Sequence, residues 1–297
     1  MKPLRILVCG ASGFVGRNLL KTLSAAGHTC IKGVRRPAKA DERAVDYTRD
    51  LSVAAWKPKL EGIDAVINAV GVLRDTRQKP MQLIHAEAPA ALFAACAEFG
   101  VKRIVNISAL GVDSSVPTQY FTTKAVAEHA LFSLDAPVYW LNLRPSVIYG
   151  QDGDSAKLFR LLAQLPVHCL PMGGRQLMQP VHISDIAEAV CKWLAKPEVE
   201  SASITVTGAD VVSMRAMLDS YRRQLGHGAA LHIPVPGVFI RTAAWLGNFV
   251  PFSPLCSETL LMLEAGSTGD NQAFAQLLGR APLSVHAFIA GTNPTRL

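Results

Sequence analysis

The stretch Arg5-Ile-Leu-Val-Cys-Gly10-Ala-Ser-Gly13-Phe-Val-Gly16-Arg-Asn-Leu-Leu20 decides the fold of this chain. An apolar run leads into three glycines spaced three residues apart, and a helix-forming segment follows. A strand, a tight turn and a helix in this order form a site for a dinucleotide pyrophosphate at a helix N-terminus. Gly10 permits the turn, Gly13 lets the backbone approach the ligand, and Gly16 lets the helix pack on the strand. An ordinary glycine turn is the alternative interpretation.

Strands and helices alternate from this opening to residue 150. Uninterrupted apolar strands separated by helices predict a parallel sheet covered on both faces, which is a doubly wound Rossmann α/β fold. We predict strands at 6–9, 29–34, 65–70, 103–107 and 139–143, and helices at 13–26, 86–99 and 120–132.

The pattern loosens after Gly150. We therefore assign residues 1–150 to an NAD(P)-binding Rossmann core, and residues 151–297 to the remaining core elements and a smaller substrate-side lobe. In this second part we predict helices at 158–165 and 184–194, a loop at 171–175, a strand at 203–207 and a helical, apolar remainder.

Composition limits the class of protein. The chain has 297 residues, of which 49% are hydrophobic, so it can bury a substantial core. Its formal charge is +7, but the basic residues are scattered, which argues against a nucleic-acid partner. A positive balance favours an anionic ligand such as a phosphorylated cofactor, with a solvated surface as the simpler explanation of most of this charge. The six cysteines form neither a Cys-x-x-Cys motif nor a zinc-finger spacing, so we expect no metal and a reducing, cytoplasmic compartment.

No stretch is long and apolar enough to predict an integral membrane span. The nearest candidate runs from Ile233 to Pro254 and is interrupted by Arg241. Its Trp and Phe residues leave peripheral membrane contact open, although an apolar substrate lid or a dimer surface is the preferred interpretation.

The end of the second predicted strand bears on cofactor choice. An NAD site places Asp or Glu there, whereas this chain has Arg35 and Arg36 in the sequence Lys32-Gly-Val-Arg-Arg-Pro37. Guanidinium groups pair with a phosphate, so we predict NADP(H) as the preferred cofactor, with NAD(H) still possible. A pair of surface arginines is the alternative.

Further residues complete the predicted cofactor site. Asp50 and Leu51 follow at a distance suited to the adenine region, and small residues at 69–71 let the ribose approach. The full predicted set is Gly10, Ser12, Gly13, Phe14, Val15, Gly16, Arg35, Arg36, Asp50, Leu51, Ala69, Val70, Gly71, Tyr120, Lys124 and Pro145.

Three side chains form the predicted catalytic set. Ser108 ends a strand, Tyr120 follows twelve residues later, and Lys124 lies one helical turn beyond. A nearby ammonium and an oxidised nicotinamide would favour the phenolate of Tyr120, which could then exchange a proton with a carbonyl or alcohol oxygen held by Ser108. Tyr-x-x-x-Lys occurs often by chance, and it carries weight here because it follows the nucleotide motif.

These motifs resemble the short-chain dehydrogenase/reductase superfamily in its extended or atypical branch. The resemblance covers roughly residues 4–210 and includes Leu143-Arg-Pro-Ser-Val-Ile-Tyr-Gly150 and Gln179-Pro-Val-His-Ile-Ser-Asp185. It implies an oxidoreductase or an epimerase/dehydratase-like enzyme that acts on a small molecule as a monomer or homodimer.

The chain departs from that pattern at His85, where many relatives have a catalytic Asn. This departure resembles the atypical group that contains the NADPH-binding accessory subunit of respiratory complex I, which implies a second hypothesis: a non-catalytic NADP(H)-binding protein that stabilises or senses a partner complex. A reductase of an apolar lipid or quinone-like substrate is the third. For His85 itself we slightly favour a helix-surface residue over a proton relay. We expect Arg144 to be a scaffold ion pair rather than a phosphate ligand, and His182 to be structural rather than catalytic.

Overall fold

The computed structural model describes residues 3–135, 137–250, 253 and 255–289. Its strands are β1 (Arg5–Cys9), β2 (Thr29–Val34), β3 (Glu42–Ala44), β4 (Ala65–Asn68), β5 (Arg103–Ile107), β6 (Tyr139–Pro145), β7 (Ile148–Tyr149), β8 (Val167–Pro171), β9 (Leu177–Met178), β10 (Val181–His182), β11 (Ala202–Val206), β12 (Val212–Ser213) and β13 (Leu231–Val235). Its α-helices are α1 (Phe14–Ala25), α2 (Val53–Leu60), α3 (Ala88–Glu98), α4 (Gln119–Phe132), α5 (Asp154–Gln164), α6 (Ile183–Ala195), α7 (Met214–Gln224), α8 (Gly237–Gly247), α9 (Ser257–Ala265) and α10 (Gln272–Leu278).

Seven strands form the main sheet in the order β11-β6-β5-β4-β1-β2-β3. The five pairings among β6, β5, β4, β1, β2 and β3 are all parallel. The order reverses between β1 and β4, so the carboxyl ends of these two strands flank the crevice where doubly wound sheets bind ligands. The predicted Rossmann α/β fold is confirmed.

The chain divides into two compact units. The first comprises Met1–Arg144 and Ile186–Ile204, and the second comprises Pro145–Asp185 and Thr205–Leu297. The predicted domain boundary after residue 150 stays a prediction.

The first unit has an apolar core on one face of the sheet. Leu7, Val66 and Ile104 are register partners on adjacent strands and therefore point to the same side. They belong to a cluster with Trp56 of α2 and Phe93 of α3, and all five side chains are fully buried. This packing fixes α2 and α3 against the strands of the main sheet.

The second unit is built from helices and three two-stranded pairings, β7 with β10, β9 with β12 and β8 with β13. Its core is aromatic and sulfur-rich, and it includes Tyr149, Met217, Tyr221 and Phe288. The Tyr149 and Phe288 rings stack with their centroids 5.0 Å apart.

Several elements, among them α2, β3 and β8, were not predicted, and two further regions differ in type from the sequence prediction. The residues before α3 form a π-helical turn, Leu83–Glu87, where the prediction began a helix at residue 86. The strand β13 lies where a helical remainder was expected, and it pairs in parallel with β8. The local sequence of β13 contains Pro234 and a polar His232, so its strand character depends on a partner more than sixty residues away.

The apolar segment at 233–254 contains α8, and residues 251, 252 and 254 of this segment lie outside the described residues. Ala244 is buried, whereas Phe239 and Trp245 are 67% and 56% exposed. None of the helices in the described part of the chain has the length and apolar character needed to cross a membrane.

Candidate functional site

The glycine-rich turn has the geometry that its sequence predicts. Gly10 has a φ of +82°, which a residue with a side chain rarely adopts. A Cβ at Gly10 would lie 2.7 Å from the carbonyl oxygen of Ala69, at the end of the neighbouring strand. A Cβ at Gly16 would overlap the carbonyl group of Gly10. Larger residues at either position would push β1, β4 and α1 apart.

Gly13 places the start of α1 at this turn. Its N–H donates to the Gly10 oxygen at 2.9 Å, and it is the N-cap residue of α1. No side chain caps this end of the helix, so the N–H groups of the first turn are available to a ligand. Ser12, Phe14 and Val15 lie on this same turn, with Ser12 exposed and the other two half-buried. The backbone therefore offers the donors and the helix dipole that a pyrophosphate requires.

Arg35 and Arg36 are exposed immediately after the carboxyl end of β2. Strand β2 is hydrogen-bonded to β1, and Gly33 pairs with Cys9, the residue before Gly10. The two guanidinium groups therefore extend from the same sheet edge as the glycine turn.

Asp50 is held by the protein itself. Its carboxylate accepts from the N–H of Asp46 at 2.7 Å and forms an ion pair with Lys59 at 2.6 Å. Its carbonyl oxygen accepts from the indole of Trp56 at 2.9 Å. The neighbouring Leu51 is partly exposed. These contacts give Asp50 a structural role, and its predicted contact with adenine stays a prediction.

The segment after β4 links the nucleotide turn to the catalytic candidates. Ala69 donates its N–H to the Cys9 oxygen at 3.0 Å, and Val70 donates to the Asn68 side chain at 3.3 Å. A Cβ at Gly71 would lie 3.7 Å from both His85 Nε2 and Lys124 Nζ. The segment that follows the glycine turn's neighbour β4 therefore lies directly beside both side chains.

Ser108 follows the last residue of β5. Its N–H donates to the Leu143 oxygen at 2.8 Å, which continues the pairing of β5 with β6. Its side chain is buried, and its Oγ has no hydrogen-bond partner among the described residues. A buried hydroxyl without a partner is costly, and a ligand oxygen would satisfy it. Pro145, the last residue of β6, is also buried.

Tyr120 and Lys124 lie one turn apart on α4, whose first turn is capped by the Thr118 hydroxyl. Lys124 is buried, and its Nζ donates to the Ile107 oxygen at 2.8 Å. The ammonium is thereby placed at the residue that precedes Ser108. Tyr120 is half-buried and forms no hydrogen bond to Ser108 or Lys124 within the described chain.

His85 is not on a helix surface, so the slightly preferred interpretation of this residue is wrong. The side chain is 1% exposed and lies in the π-helical turn, a form often found at functional sites. The N–H of Val72 donates to Nε2 at 2.9 Å, so that nitrogen carries no proton, and Nδ1 lies 3.2 Å from the Thr123 hydroxyl. Thr123 in turn donates to the Gln119 oxygen at 2.7 Å, so Nδ1–H is the donor to Thr123. The ring packs edge-on against Tyr120 with centroids 5.3 Å apart.

Burial dominates the pKa values at this site. It lowers the pKa of His85 to about 3, with the Lys124 charge adding to the effect. It lowers the pKa of Lys124 to about 8, opposed by Glu128, and raises that of Tyr120 to about 12. Burial thus keeps Tyr120 protonated, and an added positive charge beside it would lower its pKa.

A ladder of asparagines crosses the sheet behind these residues, and our sequence interpretation missed it. Asn68, Asn106 and Asn142 are register partners on β4, β5 and β6. Asn68 donates to Asn106 at 2.9 Å, and Asn106 donates to Asn142 at 2.8 Å. At one end the Tyr47 hydroxyl donates to Asn68, and at the other Asn142 donates to Glu128 of α4. The sequence does contain one Asn within each of three apolar strands, and this pattern could have predicted the ladder.

Arg144 continues this network. Its guanidinium pairs with Glu128 at 2.6 Å and with Asp113 at 2.8 Å. The expectation of a scaffold ion pair is confirmed, because both carboxylates belong to the first unit and one of them is on α4. The network therefore anchors the helix that carries Tyr120 and Lys124.

His182 belongs to the second unit. Its Nδ1 lies 2.6 Å from the Ser184 hydroxyl, and its ring packs against Tyr149 and Phe288. Desolvation lowers its pKa. These contacts describe a structural histidine, as expected.

Comparison with known protein families agrees with this geometry. The sequence matches the NAD dependent epimerase/dehydratase family over residues 6–207. The chain belongs to this family. The matched range includes the glycine turn, Ser108, Tyr120 and Lys124, and it confirms the resemblance to extended short-chain dehydrogenases/reductases.

Individual relatives are distant. One relative is the mitochondrial NADH dehydrogenase (ubiquinone) 1 alpha subcomplex subunit 9 of Mus musculus. The chain is 23% identical to it over an alignment of 262 residues, which covers 83% of this chain and 67% of the relative. The structure is similar to human epimerase family protein SDR39U1 (isoform 2) with NADPH, with a TM-score of 0.78, 17% identity, and coverage of 99% of this chain and 100% of that one. It is also similar to the Escherichia coli NADPH-dependent quinone oxidoreductase QOR2 complexed with NADPH, with a TM-score of 0.74, 17% identity, and coverage of 96% and 99%. At these identities the structural likenesses establish the fold.

Proposed function

We propose that this chain is an NADP(H)-dependent oxidoreductase or epimerase/dehydratase-like enzyme that uses Ser108, Tyr120 and Lys124 for proton transfer. The observation that carries the proposal is the buried Ser108 hydroxyl, which has no hydrogen-bond partner among the described residues. It follows Ile107, whose carbonyl oxygen accepts a hydrogen bond from the Lys124 ammonium. A structural serine in that position would have an internal partner.

The residues present fit a nicotinamide dinucleotide. Residues 10–16 supply a close backbone approach and uncapped N–H donors for the pyrophosphate. Gly71 presents backbone without a side chain beside Lys124, which suits the close approach of a ribose. The similarity to two proteins whose structures contain NADPH supports the same assignment. When bound, this cofactor supplies the hydride and a positively charged ring in its oxidised form.

The protein side chains handle the proton and the substrate oxygen. Ser108 Oγ donates a hydrogen bond to that oxygen, and Tyr120 Oη gives it a proton or takes one from it. The Lys124 ammonium stabilises the phenolate that results. His85 cannot relay a proton by becoming charged near neutral pH, since its pKa is about 3. It holds the Val72 backbone and the Tyr120 ring in place instead.

Replacement of Tyr120 tests the catalytic proposal. Tyr120→Phe removes the hydroxyl and keeps the ring that packs on His85, so turnover should fall by roughly 100-fold or more, since general acid–base catalysis contributes about that much. Turnover is measured as NADPH consumption with menadione, a quinone, and as formation of UDP-galactose from UDP-glucose, a nucleotide sugar, in the presence of NADP⁺. NADPH affinity should stay within a few-fold of the unaltered protein. Tyr139→Phe, which removes the same hydroxyl from an exposed residue of β6, is the matched control and should change nothing.

Unaltered turnover in the Tyr120→Phe variant would remove Tyr120 from the mechanism. Loss of NADPH affinity together with turnover would instead assign the side chain to cofactor binding.

Replacement of the two arginines tests the cofactor preference. A bidentate contact to a phosphate is worth about 1.5–3 kcal/mol, so Arg35→Ala with Arg36→Ala should weaken NADPH binding by about 10-fold to 100-fold and leave NADH binding nearly unchanged. Titration followed by tryptophan fluorescence measures both affinities. Arg5→Ala, exposed at the opposite end of β1, controls for the loss of surface charge. Equal affinity for the two nucleotides in the unaltered protein would mean that these arginines do not select the cofactor.

A second candidate function is a non-catalytic NADP(H)-binding protein that stabilises or senses a partner complex. The exposed apolar residues of α8 favour it, and so does the similarity to a protein named as an NADH dehydrogenase subunit. Tightly retained NADPH in a protein that neither reduces menadione nor converts UDP-glucose to UDP-galactose would favour this function. The cytoplasmic location and the monomeric or dimeric state stay predictions.

A further inference from the structure

Three potential metal ligands converge in the second unit, and none of them is assigned to the nucleotide. His168 of β8 and His232 of β13 are register partners in a parallel pairing, so their side chains point to the same face. Asp219 of α7 faces both. One ligand atom from each of the three lies within 4.8 Å of the others.

His168 is the most informative member. Its side chain is 3% exposed, and neither ring nitrogen has a hydrogen-bond partner among the described residues. A backbone interaction with Ala163 falls outside hydrogen-bond geometry. A buried imidazole with two unsatisfied nitrogens is costly, and a metal ion would satisfy one of them.

The other two ligands complete a suitable donor set. His232 Nε2 lies 2.8 Å from Asp219 Oδ1, and the two histidine rings stand edge-on with centroids 5.2 Å apart. Donor atoms around a tetrahedral zinc ion lie about 3.3 Å from one another, so modest side-chain rotation closes the set around an ion.

Nearby arginines act against a cation, and the structure limits their effect. The guanidinium of Arg222 is held by the carbonyl oxygens of Ala163, Gln164 and Leu165, which offset its charge. Arg215 lies 4.0 Å from Asp219 Oδ2, whereas Oδ1 faces His232 Nε2, so a metal ion would replace the hydrogen bond between these two atoms.

We infer that His168, Asp219 and His232 bind a divalent transition-metal ion of the zinc type. His232 and Asp219 also line a cavity of about 430 Å³, so a fourth coordination position would open to it. Two histidines, one carboxylate and an open position are the donor set of zinc sites that keep a water or an anionic ligand. The basic residues Arg215 and Arg223 on the same cavity fit an anion at that position.

Cobalt titration of the full chain after chelator treatment tests this inference. Tetrahedral Co²⁺ absorbs strongly in the visible range, and Zn²⁺ should displace one equivalent of it. His232→Ala and Asp219→Asn should each weaken binding by at least about 10-fold to 100-fold, the loss seen even for outer-shell partners of metal ligands. His129→Ala, which removes an exposed imidazole of α4, should leave binding unchanged, and NADPH affinity should be the same in all variants.

Zinc X-ray absorption of the unaltered protein gives a test that does not depend on any variant folding. Two imidazoles and oxygen ligands at about 2.0–2.2 Å are expected. Sulfur ligands at about 2.3 Å would overturn the inference by assigning the ion to cysteine thiolates. Absence of a saturable equivalent of Co²⁺, or equal binding by the His232→Ala and Asp219→Asn variants, would overturn it as well.

Discussion

At the scale of single residues, His85 shows how burial decides protonation. The imidazole accepts from a backbone N–H and donates to a threonine hydroxyl, so its two nitrogens are both used in the neutral form. An added proton would break the bond from Val72 and place a second charge near Lys124. This residue therefore stays neutral near neutral pH.

That neutrality has a measurable consequence for stability. The pKa of His85 is about 3 in the folded protein and near 6.5 in the unfolded chain, so the unfolded chain binds more protons as pH falls from about 6.5 towards 3. The free energy of unfolding should therefore fall as the pH falls through this window. The part due to His85 is roughly 2 kcal/mol between about pH 7 and pH 5, and the His85→Asn variant should not show it. Urea unfolding at both pH values measures it.

The same variant should be less stable at about pH 7, by about 1–3 kcal/mol, because Asn cannot satisfy both Val72 and Thr123 as the imidazole does. His129→Ala on the exposed face of α4 serves as the control and should keep the acid slope of the unaltered protein. Parallel slopes for His85→Asn and the unaltered protein would contradict the buried, neutral assignment.

At the scale of secondary-structure elements, α4 is fixed by a polar network rather than by apolar packing alone. Glu128 is 2% exposed and joins the asparagine ladder to Arg144. The buried carboxylate is thus neutralised by a guanidinium and by hydrogen bonds, as a buried charge must be. Lys124 lies one turn earlier on the same helix, so the network also sets where the ammonium meets β5.

Glu128→Gln should therefore destabilise the protein far more than a surface change of the same kind. Breaking a buried pair costs about 3–5 kcal/mol, and the remaining Asp113 contact to Arg144 should reduce this to roughly 2–3 kcal/mol. Glu188→Gln, which breaks the half-exposed pair with Lys192 on α6, should cost less than about 0.5 kcal/mol. Chemical denaturation of the three proteins makes the comparison. Equal losses would mean that the ladder does not anchor α4.

Elements that depend on local sequence were predictable, and those that depend on distant partners were not. The strands β2 and β5 were predicted with the bounds observed, since each is a short apolar run between turn residues. The strand β13 was missed because its pairing with β8 spans two helices of intervening chain. The π-helical turn at Leu83–Glu87 has no sequence signature, so the burial of His85 could not be foreseen.

The candidate site follows the same division. The glycines at 10, 13 and 16 act on adjacent backbone, and their sequence spacing alone predicted the turn. Spacing also placed Tyr120 and Lys124 on one helix, but the bond from Lys124 to Ile107 requires the packing of α4 on the sheet. The cluster of His168, Asp219 and His232 brings together residues up to 64 positions apart, and no zinc-finger spacing marks it.

At the scale of the whole molecule, the two compact units hold different sets of proposed ligand residues. Apart from Pro145, every residue proposed for the dinucleotide belongs to the first unit. All three proposed metal ligands belong to the second. A ligand stabilises the state that binds it, so the dinucleotide and the metal ion should each slow local unfolding mainly in the unit that contains their own site.

Amide hydrogen exchange should separate the two effects. NADPH at about 100 times its Kd adds about 2.7 kcal/mol to the folded state, so exchange from β1, α1 and β4 should slow by up to about 100-fold. Zn²⁺ should slow exchange mainly in β8, β13 and α7, where its ligands lie. Arg35→Ala with Arg36→Ala should lose the first protection and keep the second, and Asp219→Asn should do the reverse. If NADPH protected β8 and β13 as strongly as β1, the dinucleotide would have to contact the second unit, and the assignment of its site to the carboxyl edge of the main sheet would be wrong.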